Sequence, residues 1–212
     1  MGLYAASVAV QSVGAVAARA PMPAFRWYMK IDNLIWRTQA MTVLEYLDEK
    51  HCRYEVTEHK PVYTAEQLAT VEHVSPRKVA KPVVVRADGK YFVCVLPADR
   101  KIDLYAVQKH LQAKNVRLAS EHEMESLFGD SELGAEPPLG NLYDLPTLMD
   151  RKLAKDRQIV FQAGSHDRAV WMSMSEYKRL ASPTVLAFSY PEAMDEIESM
   201  PFDPYFYDPY NF

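Results

Sequence analysis

Three stretches of the chain carry residue types that could do chemistry. The first is Lys81, which closes the basic run PRKVAK and leads directly into the apolar run VVV. A lysine at the mouth of a buried strand can hold its ammonium at a pocket rim and bind a phosphate or an anionic oxygen as a point charge. The bland alternative, favoured on chemistry alone, is a surface lysine whose stem lies along the protein. If a helix beginning at Pro76 runs on, Arg77 and Lys78 share a face with Lys81, because residues three and four apart are neighbours on a helix. The second stretch is ELGAEPPLGNL, in which Pro137 and Pro138 sit between Gly134 and Gly140. Proline fixes φ and removes a donor, and glycine admits backbone shapes that other residues avoid. The loop therefore reads either as a rigid pocket wall, with backbone groups left free by the prolines, or as a long connection pinned for stability. The third stretch is Ser165-His166-Asp167. It holds the residue types of a catalytic triad, but triad members meet through space from separate segments. Adjacent in sequence, they read as a polar turn.

Other chemistries find no footing. There is no G-x-S-x-G, H-E-x-x-H, phosphate-binding Walker loop or G-x-G-x-x-G. The two cysteines, Cys52 and Cys94, lie far apart without metal-ligand spacing, and Cys94 in its apolar run reads as a small buried hydrophobe. Nothing points to an oxidising compartment, no apolar run is long enough to span a membrane, and the cytoplasm is the expected location. The formal net charge of −4 is uneven: the first 32 residues are slightly basic, and the segment 191–212 carries six acidic residues and no lysine or arginine. The middle is neutral, which argues against a protein that coats a phosphate backbone and allows one that touches a few phosphates locally.

The elements that must position these residues lie between Met41 and about residue 185. TVLEYLDEKH reads as a short amphipathic helix capped by Thr42, and RYEVTEH as a strand. TAEQLATVEHV opens with Thr64 and places Gln67 at the capping-box position. Ser75-Pro76 starts a further short helix. KPVVVRADGKYFVCVLP is a β-hairpin turning at Asp88-Gly89, and its continuous apolar runs predict cover on both faces. DLYAVQKHL places Leu104, Val107 and Leu111 on one helical stripe. SEHEMESLFG is a helix capped by Ser120 and Glu123, with Gly129 just past its end. A strand near Thr147–Met149, strands in QIVFQAG and AVWMS, and a closing helix capped by Ser173 complete the pattern. The order does not repeat β-α-β, so the fold class is mixed α/β rather than doubly wound. Residues 1–40 read as a leader outside the fold, and 186–212 as an acidic, aromatic tail.

Four segments in this order resemble one family: EHKPVYTAEQLA, KVAKPVVVRADGKYFVCVLPADRKIDL, ELGAEPPLGNL and IVFQAGSHDRAVWMS. They are similar to the YbaK family, which includes the editing domain inserted in bacterial prolyl-tRNA synthetases. The resemblance runs from about Met41 to about Pro183. It implies a YbaK-like mixed, barrel-like sheet surrounded by short helices. It also implies hydrolysis of the ester that joins a wrong amino acid to the terminal adenosine of a tRNA, with no metal or redox cofactor. The partners it implies are the acceptor end of an aminoacyl-tRNA and, as a further candidate, an aminoacyl-tRNA synthetase. The family's key lysine falls on Lys81, and its G-x-x-x-P motif on Gly134 to Pro138, with Pro137 and Gly140 beside it. A late histidine falls on His166, after Gly164 and Ser165, and His59 stands where many members carry histidine, a capping or rim role being the plainer reading. Lys78, Arg100, Lys101, Arg151 and Lys152 would help to hold the acceptor end. One departure is Pro82, where many members have threonine or asparagine; it removes a side-chain contact and an N–H beside Lys81. The resulting expectation is a trans-editing deacylase, with a non-catalytic module that senses an aminoacyl or nucleotide ligand as the alternative.

Overall fold

The structure, a computed structural model, describes residues 41–192. The expected leader and most of the expected tail lie outside these residues. In chain order the elements are α1 (Val43–Glu49), β1 (Tyr54–Glu58), α2 (Ala65–Val71), β2 (Ala80–Ala87), β3 (Lys90–Pro97), β4 (Arg100–Ile102), α3 (Leu104–Leu111), β5 (Val116–Leu118), α4 (Glu121–Leu127), β6 (Thr147–Asp150), β7 (Gln158–Gln162), β8 (Arg168–Ser173), α5 (Met174–Ala181), β9 (Thr184–Leu186) and β10 (Ser189–Pro191). Single 3-10 turns occur at Pro76–Lys78, Gly140–Tyr143 and Leu153–Lys155.

The strands form a five-stranded sheet in the order β5-β2-β3-β6-β9, a three-stranded sheet β1-β8-β7, and the pair β10-β4. β6 runs parallel to both β3 and β9, and the other pairings are antiparallel, so the larger sheet is mixed. A parallel bridge from Val79 to Val160 links the entry of β2 to β7 and joins the two larger sheets into the barrel-like arrangement. The hairpin turns where expected. Asp88 and Gly89 both have positive φ (46° and 86°), the backbone of a two-residue turn that matches strand twist.

The continuous apolar runs are explained by three core clusters. Val84, Val93 and Val95 face Ile159, Phe161, Val170 and Met172 in the main core, which α1 and α5 close with Leu47 and Tyr177. Val85, Cys94 and Leu96 point to the other face, where Val107 of α3 and Phe188 cover them. Val79 and Val160 pack under α2 through Leu68 and Ala69. Successive strand residues thus enter different cores, and no polar alternation is needed.

The caps hold as read at Thr42, Ser120 and Ser173. At α2 the box is only half formed: Thr64 accepts from the Gln67 N–H, but the Gln67 side chain accepts from the Tyr63 N–H at 2.9 Å. Two expectations are corrected and one is refined. The helix after Ser75 is a single turn ending at Lys78, and Lys81 already belongs to β2, so Lys78 and Lys81 share no helical face. Gly129 does stand just past α4, after its cap residue Phe128, but without the left-handed backbone of a glycine cap, and Phe128 is buried in the main core. Residues 186–191 continue the fold, because β10 pairs with β4 and the Phe188 N–H donates to the buried Asp150 carboxylate at 2.9 Å.

One surface carboxylate ties α4 to the hairpin. Glu123 caps Ser120, pairs with Arg117 at 2.7 Å and Arg86 at 3.1 Å, and accepts from the Tyr91 hydroxyl at 2.6 Å. Arg117 first, then Tyr91 and the Ser120 N–H, hold its carboxyl far below the usual carboxylate range. A depressed folded pKa contributes stability that is complete above the unfolded value of about 4.3 and is lost as pH falls toward the folded one. Glu123→Gln is therefore expected to lower Tm at pH 7 and to flatten the loss of Tm on acidification below about pH 5, measured by calorimetry at both pH values.

Candidate functional site

The entry of β2 forms one wall of the site. β5 reaches only Val85–Ala87, so the edge of β2 at Ala80, Lys81 and Pro82 has no ladder partner from that strand. A proline can occupy such an edge, because no pairing N–H is missed there. Lys81 pairs with Leu96 through β3, and its Nζ donates to the Ala98 carbonyl at 2.9 Å, just past the end of that strand. Glu66 Oε1 of α2 lies 3.5 Å from the same nitrogen, and a quarter of the lysine side chain (25%) remains exposed. The ammonium is thus held at a pocket rim rather than waving in solvent.

The glycine-proline loop forms the opposite wall, and it is both a wall and a pinned connection. Its first part is clamped to the turn between β7 and β8. The Glu132 N–H donates to the Gly164 carbonyl at 2.9 Å, the Gly164 N–H to the Ala135 carbonyl at 3.0 Å, and the His166 N–H to the Glu132 carboxylate at 2.8 Å. Gly134 and Gly164 take positive φ (89° and 86°), where a side chain would be strained. From Ala135 to Gly140 the loop is buried. The Tyr177 hydroxyl, inside the main core, donates to the Pro138 carbonyl at 2.7 Å. At Gly140 a Cβ would come within 2.4 Å of the Leu145 carbonyl oxygen, so only glycine fits.

The backbone groups of this loop are not all free, contrary to expectation. The Gly134 N–H is taken by the Glu136 carboxylate, with both oxygens at 3.1 Å, and the Ala135 N–H by the Glu132 carbonyl at 2.9 Å. The prolines do block sheet pairing, but the tight turn lets a nearby carboxylate and a nearby carbonyl take the released donors.

Between the walls lies a cavity of about 370 Å³, lined by Tyr63, Glu66, Lys81, Pro82, Gly134, Glu136, Gln162 and Glu192 among others. Three of the anticipated residues, Lys81, Pro82 and Gly134, meet there. His166 stands directly behind Gly134, with its Cε1 3.7 Å from where a Gly134 Cβ would be, and it stacks on Tyr63 at 4.6 Å between ring centroids. Its Nδ1 lies 3.1 Å from the Val62 carbonyl oxygen. The same nitrogen lies 3.4 Å from the Gln162 side-chain nitrogen, which itself donates to the Val62 carbonyl at 2.8 Å, so the ring is fixed from this side. Burial is the main reason the nearby Tyr143 phenol is pushed up, and the Asp130 and Glu136 carboxylates add to it.

The other anticipated residues serve from outside the cavity. The His59 side chain is covered, with Nδ1 on the Lys60 carbonyl at 2.8 Å and Nε2 4.0 Å from Glu72, which also accepts from Thr57 and Trp171. Pro137, Pro138 and Gly140 fill the space beneath the loop, Gly164 forms the clamp, and the Ser165 hydroxyl donates to Asp167 at 2.7 Å within a polar turn. Lys78 acts on Asp156 across a second cleft, of about 240 Å³, lined by Arg77, Asp99, Arg100, Lys152, Lys155 and Asp156. Sequence reasoning missed Tyr63, Glu66, Glu136 and Gln162. The half-formed box at Thr64 was the available signal for Tyr63, since Gln67 had to reach some N–H; the others look like ordinary surface residues in sequence.

The domain is a mixed α/β fold whose pinned loop faces a lysine-bearing strand across a small cavity. The chain matches the family described as aminoacyl-tRNA editing domain over residues 59–180, and it belongs to that family. It is 26% identical over 151 residues to the multifunctional Ser/Thr-tRNA deacylase ProXp-y of Escherichia coli (strain K12), spanning 69% of this chain and 90% of that protein. It is 25% identical over 144 residues to the prolyl-tRNA editing protein ProX of Acetoanaerobium sticklandii, spanning 65% and 87%. A crystal structure provisionally assigned as a trans-editing enzyme for prolyl-tRNA synthetase superposes with a TM-score of 0.62 at 19% identity, over 70% of this chain and 92% of that one. That last likeness bears on the fold alone.

Tyr177→Phe tests how the loop is held. It strands the buried Pro138 carbonyl without its donor, a cost of about 1–3 kcal/mol. The expected result is a Tm lower by roughly 2–4 °C for each kcal/mol, with an unchanged circular dichroism spectrum at 20 °C.

Proposed function

We propose that this protein hydrolyses the ester of mischarged tRNA in trans, receiving the terminal aminoacyl-adenosine in the cavity between Lys81 and Gly134–Glu136. The observation that carries the reading is the meeting of Lys81 and the G-x-x-x-P loop across one cavity in a chain of the editing-domain family. The reaction adds water across the ester and returns a free amino acid and a tRNA hydroxyl. An aminoacyl ester is already activated, so a positioned water and stabilised charge suffice, and no side chain need become a nucleophile. Lys81 holds the terminal phosphate or ribose. Pro82 gives the amino-acid end of the cavity an apolar surface. His166, one layer back, braces Gly134 and Tyr63.

The acceptor strand continues toward the second cleft. Ala98 and Asp99 separate the two cavities, and beyond them Arg77, Arg100, Lys152 and Lys155 provide positive charge for one or two phosphates. Arg100 is oriented for this by its bonds to Ser189 at 2.6 Å. Such local contacts agree with a neutral domain that does not coat RNA. Among the described residues no helix is long and apolar enough to cross a membrane; we take the site of action to be the cytoplasm, beside an aminoacyl-tRNA synthetase that makes the errors. The names of the relatives make seryl and threonyl esters the first substrates to try, followed by alanyl and cysteinyl.

Single-turnover deacylation over that panel decides the matter. Wild type is expected to discharge at least one mischarged tRNA well above the buffer rate, and Lys81→Ala to lose roughly 10²-fold of that rate, the scale of a misplaced reacting group. No hydrolysis above buffer across the panel at high protein would sink the reading.

A further inference from the structure

Glu136 is the middle residue of the G-x-x-x-P motif and has no role in the reaction as described above. It is only 6% exposed, yet it lines the cavity. Its hydrogen bonds among the described residues are the two 3.1 Å contacts from the single Gly134 N–H. A carboxylate offers about four acceptor positions, so most of its capacity is unused. Buried charge is costly unless paired, and the other charges lining the cavity are already engaged. Lys81 is held by Ala98 and Glu66, and Glu192 pairs with Lys101 at 3.6 Å. The cavity therefore has a carboxylate on its loop wall that forms no ion pair with a cation among the described residues.

We infer that Glu136 binds the α-ammonium of the aminoacyl group, and that this contact restricts the site to esters bearing a free α-amino group. The inference rests on the deacylase reading and deepens it. An aminoacyl ester carries its ammonium on the carbon next to the carbonyl. Seating that ammonium on Glu136 brings the scissile carbonyl against the Gly134–Glu136 wall, opposite Lys81. The substrate then lies with its cationic end on a carboxylate and its phosphate end toward an ammonium, so the cavity sets its direction. Esters whose nitrogen is acylated, as in formylated or peptidyl chains, bring no charge to Glu136 and leave it buried and unpaired. An editing enzyme with this contact spares them.

The test compares two esters of nearly equal size on the same tRNA: an edited aminoacyl ester and its α-hydroxyacyl counterpart, in which a hydroxyl replaces the ammonium. Single-turnover rates are measured against protein concentration for wild type and Glu136→Gln. Glutamine keeps an oxygen for the Gly134 N–H and nearly the same volume, but removes the charge. Wild type is expected to prefer the aminoacyl ester by about 10- to 100-fold, the scale of a hydrogen bond to a charged group. Glu136→Gln is expected to raise the half-saturating concentration for the aminoacyl ester and to reduce the preference to within a few-fold. Equal wild-type rates on the two esters, or a preference that survives in Glu136→Gln, would overturn the role of Glu136 while leaving the deacylase reading standing. Absence of all hydrolysis would instead remove that reading. Should the variant not fold, calorimetry on wild type supplies the same contrast: an amide-linked, non-hydrolysable aminoacyl-adenosine must bind at least 10-fold more tightly than its α-hydroxyacyl analogue, and equal affinities overturn the proposal.

Discussion

The Gly164 N–H donates to the Ala135 carbonyl, and the Gly164 carbonyl accepts from the Glu132 N–H. This two-way backbone contact ties the glycine-proline loop to the turn between β7 and β8, and the geometry of the cavity follows from it. With Glu132 and Ala135 held, Gly134 is forced into the left-handed region between them, and its surface faces the cavity. The same clamp brings the His166 N–H onto the Glu132 carboxylate and the imidazole up behind Gly134. The Val62 N–H donates to the His166 carbonyl, so Tyr63 and the start of α2 are fastened to the same turn. Three segments far apart in sequence thus share one anchor. The anchor is rigid because it sits on the β7–β8 hairpin, in which β7 pairs along its whole length.

The parts of the fold that could be read from sequence are those set by local chemistry. Asp88-Gly89 admits the positive φ values of a two-residue turn, and the runs beside it are apolar throughout because their residues enter two different cores. Thr42, Ser120 and Ser173 cap helices with groups three residues away, so their partners were visible in the string. Lys81 and Gly134 stood out by residue type, a lysine entering an apolar strand and a glycine ahead of two prolines, whereas Pro82 came into view through the resemblance. The residues that escaped depend on distant partners. Nothing near Glu136 in sequence announces its burial, which comes from the folding of the whole loop under α5 and against β7–β8. Lys78 looked like a neighbour of Lys81, but the helix there stops after three residues and the chain turns extended. The tail seemed to begin too early because Phe188 and β10 carry no helical or strand period of their own; they are ordered by Asp150 and by Arg100.

Charge in the site is arranged by restraint rather than by accumulation. Among the described residues Lys81 is the cation lining the cavity, and it is fixed by a carbonyl and a carboxylate, so its position is set before any ligand arrives. Preorganisation of this kind contributes to rate because no side chain has to be ordered during the reaction. It also explains why the domain as a whole can be electrically neutral. The second cleft gathers Arg77, Arg100, Lys152 and Lys155 with Asp99 and Asp156, and in the proposed binding mode this is where the positive charge for the nucleic-acid end would come from.

Selectivity in such a site has to come from the amino-acid end, and the walls there are of two kinds. Pro82 offers an apolar surface without a donor, which separates side chains weakly, because one methylene more or less is worth only about 1–3 kcal/mol. Glu136 offers a buried charge, and a site built around a buried polar group rejects a ligand that leaves it unpaired far more strongly than an apolar pocket rejects a misfit. The two walls therefore divide the work. In the proposed binding mode the proline sets little constraint on the side chain, and the carboxylate would discriminate on the one group that every aminoacyl ester shares. Under that proposal the cavity would be broad toward the identity of the amino acid and strict toward its chemical state.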